Sequence, residues 1–185
     1  MAERFRIVTE RLVLRPWRST DGDDVAHLNA DPEVMSDLGG PLDRRASDAK
    51  FERYREVFDE HGLTRWVVAE RRGGAFLGYC GVASHDDDHP LGSHFDIGWR
   101  LARAHWGRGI ATEAARAALL DAFERVGCDR ILAYTEEHNV RSVGVIRRLG
   151  LVREPELDFE VVEDGHRWSG QVWGASRVPP SSAGC

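Results

Sequence analysis

Apolar residues recur along this chain with a period that switches between two and three or four, and the switches mark out its elements. Between Arg6 and Arg15, Leu12 and Leu14 alternate with Arg11, Val13 and Arg15, and Pro16 blocks further pairing, which predicts a first strand. Ser19, Thr20 and Asp21 offer caps for a short helix through Asn29 that carries Val25 and Leu28 three apart. Asp31-Pro32 begins a short helical turn or loop to Leu38, and Gly39-Gly40-Pro41 breaks the chain. Ser47 is the expected cap of a longer helix whose apolar positions Phe51, Tyr54, Val57 and Phe58 lie three or four apart, with Gly62 as its stop.

The period then returns to two. Strands are predicted over Thr64 to Glu70 and Ala75 to Ser84, joined by Arg71-Arg72-Gly73-Gly74, a hairpin composition that makes the pair antiparallel. After a polar stretch from His85 to Ser93, a strand from His94 to Leu101 carries Phe95, Ile97 and Trp99 on one face and Asp96, Gly98 and Arg100 on the other. A helix from about Gly109 to Val126, closed by Gly127, and a strand from Arg130 to Thr135 complete a crossover unit, so these two strands should lie parallel. A helix starting at Asn139 or its neighbour ends at Leu149-Gly150. Strands near Leu151 to Val162 and Arg167 to Ala175 flank the turn signal Asp164-Gly165. Residues 176–185, with Pro179-Pro180 and small polar residues, are expected to form a flexible tail behind one domain spanning 1–175.

Length and composition fit that division. A chain of 185 residues can bury roughly 70% of its unfolded surface in one core. Its 42% hydrophobic and 30% charged residues are a globular balance and exclude a disordered chain. A net charge of −6 disfavours nucleic acid as a partner. Cys80, Cys128 and Cys185 are far apart and form no metal spacing, which implies unpaired thiols in a reducing compartment. The N-terminus mixes charge with apolar residues and lacks the signature of a secretory signal. No stretch approaches the roughly 18 apolar residues of a membrane span. A cytoplasmic location with no membrane partner is the resulting expectation.

The chemistry concentrates in Trp106 to Ala114, the sequence WGRGIATEA. Glycines allow a backbone to hug an anion, and the helix that follows aims unpaired N–H groups and its positive dipole end at it, so the stretch is expected to cradle a pyrophosphate. A dinucleotide fingerprint would need a small residue where Thr112 stands and an acidic residue about 20 positions on, whereas Glu136 comes later. A nucleotide-binding Walker loop would need Gly-Lys-Ser or Gly-Lys-Thr, which the chain lacks.

The order of elements together with WGRGIATEA resembles the GNAT superfamily of acyl-CoA-dependent N-acetyltransferases. Its loop runs Gln or Arg, two residues, Gly, one residue, then Gly or Ala, and Trp106, Gly109 and Ala111 occupy those anchors. Tryptophan at the first anchor is usual in the branch resembling the Rim-type ribosomal-protein N-terminal acetyltransferases. Thr9 to Trp17, Phe76 to Val82, Asp96 to Leu101 and His138 to Leu151 look like further segments of that branch, so the resemblance covers residues 8 to 175. It implies a mixed α/β (α+β) fold. Six to seven strands would form a mostly antiparallel twisted sheet, with a parallel pair splayed at the CoA site and about four helices around it.

The resemblance also implies what the site holds. Acetyl-CoA is expected as co-substrate between the splayed strands, its pantetheine paired with the backbone of Trp99, Arg100 and Leu101. Trp106, Gly107, Arg108, Gly109, Ile110, Ala111 and Thr112 would grip the pyrophosphate, with Arg103 and Arg108 able to add charge. A backbone N–H near Trp99 would serve as oxyanion donor, Ser142 would hydrogen-bond the leaving thiolate, and Asn139 would orient the pantetheine amide or cap its helix. Asp96 occupies the position of a general base, with Glu136 and Glu154 as alternatives, and an α-amine needs little help from a base. His85-Asp86-Asp87-Asp88-His89 and His94 are expected to be a solvated acidic loop, or one bordering the acceptor cleft, and no metal is expected. The acceptor is a primary amine, a protein N-terminus or a small molecule; a non-catalytic acyl-CoA-binding module is the alternative. The assembly is expected to be a monomer or homodimer.

Overall fold

The predicted first strand folds back on itself. In the computed structural model, which describes residues 5–61, 63, 65–163 and 166–177, β1 (Ile7–Val8) and β2 (Leu12–Arg15) pair antiparallel around Thr9 to Arg11. The Thr9 hydroxyl accepts from the Leu12 N–H at 3.0 Å, a side-chain turn that alternation alone does not announce. Gly62, the Asp164-Gly165 turn, Cys185 and most of the expected tail lie outside the described residues.

The helices on one side of the sheet are α1 (Gly22–Ala30) and α2 (Arg44–His61). The start of α2 corrects the expected cap: the Asp43 carboxylate accepts from the Ala46 N–H at 2.8 Å. Ser47 is buried instead, and its hydroxyl accepts from Asn29 Nδ2 at 2.9 Å. Trp17, Val25, Leu28, Phe51 and Tyr79 form the core between these helices and the sheet.

β3 (Arg65–Glu70), β4 (Phe76–His85) and β5 (His94–Leu101) follow as an antiparallel meander. On the sheet's second face lie α3 (Ile110–Asp121), extended by a wider π turn to Val126, and α4 (Val140–Leu149). Between α3 and α4 runs β6 (Arg130–Thr135). Leu14, Trp66, Val82, Ile97, Ile131 and Ile146 fill the core on this face, each removing apolar surface worth about 1.5–3 kcal/mol.

The expected last pair of strands is three: β7 (Val152–Arg153), β8 (Phe159–Glu163) and β9 (His166–Ser176). Pro155 opens a helical turn to Leu157 that separates the first two. Among the described residues the sheet has nine strands in the order β1-β2-β3-β4-β5-β6-β9-β7, with β8 on β9, more than the six to seven expected. Every pairing is antiparallel except β5 with β6, which share the single register pair Asp96 and Leu132. No register pair joins the two strands beyond that point among the described residues.

Candidate active site

A cleft of about 540 Å³ opens between the end of β5, the loop that follows it and the start of α4. Trp99, Arg100 and Leu101 line it from β5, and Trp106 from the loop that follows. The Trp106 indole N–H donates to the Leu101 carbonyl at 2.8 Å, and the Arg141 guanidinium lies 4.2 Å from the ring centroid, so this anchor ties loop, strand and α4 together. Gly107, Gly109, Ile110, Ala111 and Thr112 continue the wall.

Gly109 caps α3 with φ 76°, a left-handed conformation that a residue with a Cβ resists. The N–H groups of Ile110, Ala111 and Thr112 precede the first bond of the helix, Glu113 N–H to the Gly109 carbonyl at 3.0 Å, and remain available to a ligand. The turn between β1 and β2 braces them. Arg11 donates to Glu113 at 2.6 Å and to the Arg108 carbonyl at 2.9 Å, and the Thr9 hydroxyl donates to Glu113 at 2.6 Å. Burial pushes the Glu113 pKa up, but the bonds from Thr9 and Arg11 outweigh it and hold the carboxyl below its usual range.

Two of the expected cationic contributors lie elsewhere. Arg108 is exposed with its guanidinium 3.4 Å from His105 and is absent from the lining, and Arg103 pairs with Glu33. Arg141 and Arg148 line the cleft instead. Their spacing with Gly144 and Val145 is one helical face, a signal present in the sequence at intervals of three and four.

Opposite the glycine loop stands the start of α4. Asn139 caps it, its Oδ1 accepting from the Ser142 N–H at 3.0 Å, and both residues line the cleft. Ser142 is half-buried, and its hydroxyl has no partner among the described residues. A donor free at the wall of a cleft is available to a ligand atom.

Asp96 is not part of that lining. It is buried beneath β5, where Arg65 Nη2 donates to both carboxylate oxygens at 2.7 and 2.6 Å. Gly98 makes this possible: a Cβ there would stand 3.0 Å from the Arg65 guanidinium carbon. His85 Nε2 lies 2.8 Å from Asp96 Oδ1. Burial alone would raise the Asp96 pKa; Arg65 and the His85 hydrogen bond outweigh it and hold the carboxyl below its usual range. A carboxylate so satisfied is a weak proton acceptor, which counts against the direct base role expected for it. Glu154 pairs with Arg130, and Glu136 lies 3.6 Å from His138.

The histidines near Asp96 also depart from expectation. His85 stacks on His94 with centroids 4.8 Å apart, and His89 meets both rings, Tyr134 and Phe159. Only Asp86, Asp87 and Asp88 are solvated as foreseen. Burial beside the other imidazoles lowers the His89 pKa to about 4 and moves His94 in the same direction. One cluster of candidate metal ligands occurs among the described residues, Asp37, Glu136 and His138, with ligand atoms within 4.8 Å of one another. His138 already bridges it, 3.0 Å from Asp37. Cys80 and Cys128 are buried, and burial pushes the Cys80 thiol up to about 12.

No described helix is long and apolar enough to cross a membrane. The protein YkkB of Bacillus subtilis (strain 168) is 30% identical over 152 residues, covering 82% of this chain and 87% of its own. The acetyltransferase from Agrobacterium tumefaciens str. C58 superposes with a TM-score of 0.79 at 26% identity, covering 94% of this chain and 95% of that one. RimL, a ribosomal-protein α-N-acetyltransferase solved in complex with coenzyme A, shares the fold with a TM-score of 0.76 at 15% identity over 93% of this chain and 98% of its own. A family model for the acetyltransferase (GNAT) domain matches residues 11–152, a span that holds the glycine loop, Asn139 and Ser142. The chain belongs to the GNAT acetyltransferase family.

Proposed function

We propose that this protein transfers the acetyl group of acetyl-CoA to a primary amine by direct attack within a ternary complex. The observation that carries the proposal is the meeting, across one cleft, of the unpaired N–H groups of Ile110 to Thr112 with the partnerless Ser142 hydroxyl. The first suits a pyrophosphate and the second a sulfur at the other end of the same molecule. That RimL holds coenzyme A in the same fold supports the choice of donor.

In this mechanism the cleft-lining backbone of Trp99 to Leu101 binds pantetheine as an added strand, and Arg141 and Arg148 neutralise phosphate charge. A backbone N–H of β5 stabilises the oxyanion when the amine adds to the thioester carbonyl. Collapse of the intermediate breaks the C–S bond; the surplus proton of the amine nitrogen passes to the departing thiolate, giving the amide and the CoA thiol, while Ser142 donates a hydrogen bond to the sulfur as its charge develops. The amine must arrive neutral. An α-amine with pKa near 8 requires about 1 kcal/mol for this at pH 7, and a lysine near 10.4 roughly 4–5. Asp96 is assigned to hold Arg65 and His85 in place and not to take the proton itself. An acceptor of low pKa, such as the α-amines used by the Rim-type branch that the sequence resembles, fits that arrangement.

Calorimetric titration of acetyl-CoA into the wild type and into Arg148→Glu tests the donor site. Binding weakened tenfold or more by the reversed charge is expected; equal affinity in both proteins would remove the cleft from the account.

A further inference from the structure

Arg100 is a buried cation without an anion. It is 8% exposed, lines the cleft, and has no carboxylate partner among the described residues. Its Nη1 donates to Asn29 Oδ1 at 2.9 Å, its guanidinium carbon lies 5.3 Å from the Tyr79 ring centroid, and its Nε is buried with no acceptor. Burying an unpaired charge is strongly unfavourable, and an orphaned donor adds to that. The acidic residues that line the same cleft are already engaged, Glu33 by Arg103 and Asp37 by His138, and Asp96 on the same face of β5 belongs to Arg65.

A second cation reinforces the first. Lys50 on α2 is the only lysine in the chain, is half-buried, and has no acidic partner among the described residues. Burial first, then the charges of Arg100, Arg53 and Arg65, lower its pKa to about 8. The side of β5 that bears Arg100 faces α1 and α2, away from the α3 and α4 core that receives Trp99 and Leu101. The positive charge therefore enters the cleft from the α1 and α2 side of β5, at a different wall from the proposed pyrophosphate grip.

We infer that the amine acceptor carries a carboxylate, bound by the Arg100 guanidinium through Nη2 with Lys50 as supporting charge. Asn29 occupies Nη1, whereas Nη2 has no acceptor among the described residues and, unlike the buried Nε, is open to a charge-assisted hydrogen bond from a carboxylate. The carboxylate could belong to a free amino acid or to an acidic side chain near the amine of a peptide; the chemistry is the same. This inference rests on the proposed acetyl transfer in the cleft.

Matched acceptors test it. β-Alanine and β-alaninamide, glycylglycine and its amide, and N-terminal peptides with Asp or Asn at the second residue are compared as acetyl acceptors, and their N-acetylated forms are titrated calorimetrically into the protein with CoA present. In at least one pair the carboxylate member should exceed its neutral partner by about 10- to 100-fold in kcat/KM or affinity. Which pair discriminates identifies a free amino acid or a peptide side chain as the source. Arg100→Gln should bring that ratio close to one, and Arg100→Lys should restore part of it. If Arg100→Gln does not fold, Lys50→Gln should narrow the same ratio while acetyl-CoA affinity holds. Equal treatment of both members in every pair, or a ratio untouched by either variant, overturns the inference and leaves acetyl transfer standing. The calorimetric arm decides the inference without turnover, whereas failure of acetyl-CoA to bind strikes at the function itself.

Discussion

Arg65 grips both carboxylate oxygens of Asp96 from a strand that is not its neighbour, at 2.7 and 2.6 Å, crossing the chain at Gly98. The two side chains are 12% and 5% exposed, so removing either leaves the other charge stranded. Arg65→Met should lower stability by about 3–5 kcal/mol in urea unfolding, with a smaller loss for Asp96→Asn, which keeps hydrogen-bonding capacity. Equal, small effects would show that the pair is solvated in solution.

The histidine stack makes the fold sensitive to acid. The folded pKa of His89 is depressed from an ordinary 6.5 to about 4, so the unfolded chain binds the proton first. Stability should be intact above about pH 6.5 and fall as the pH drops from there towards 4. His89→Phe should flatten this part of a plot of Tm against pH. A wild-type Tm constant over that window contradicts the packed position of the ring.

Lys50 shifts in the same direction, and its window lies on the alkaline side of neutrality. Its pKa of about 8 lies below the ordinary 10.5, so the unfolded chain holds the proton more tightly and its contribution to stability should rise from pH 8 to 10.5. Lys50→Met should raise the Tm of the ligand-free protein at pH 7 and remove that rise. A lower Tm at pH 7 would mean that the ammonium has an anionic partner.

Gly109 by its backbone and Asn139 by its side chain shape the two walls of the cleft. Gly109→Ala forces a Cβ into φ 76° and should lower stability by about 1–3 kcal/mol while weakening acetyl-CoA binding. Asn139→Ala should lose about 0.5–2 kcal/mol from the cap, and Asn139→Asp should recover most of it. Circular dichroism melts with calorimetric titration separate the two effects, and an Asn139→Ala melt identical to the wild type would show that Asn139 does not act as a cap.

What was legible in the sequence was local. The glycine loop, the Asn139 cap, the position of Ser142 and the alternation that puts Trp99 and Arg100 on opposite faces of β5 all depend on residues a few positions apart. The turn at Thr9 also depends on near neighbours, but its bracing partner is Glu113, 104 positions on. The ion pair that engages Asp96, expected as a general base, was not legible because its partner is 31 positions earlier and its access runs over a glycine. The histidines read as solvated because Tyr134 and Phe159, which cover them, belong to later strands. Pairings of that kind arise from register and packing, which periodicity does not encode.

The most direct test of acetyl transfer in this cleft is the release of free CoA thiol from acetyl-CoA with a mixed pool of amines, measured for wild type and Ser142→Ala in parallel. Amine-dependent release by the wild type is predicted, with kcat about 10- to 100-fold lower in Ser142→Ala and little change in acetyl-CoA affinity. Tight acetyl-CoA binding with no amine-dependent release would make the protein a binding module, and equal rates in the two proteins would take Ser142 out of the reaction.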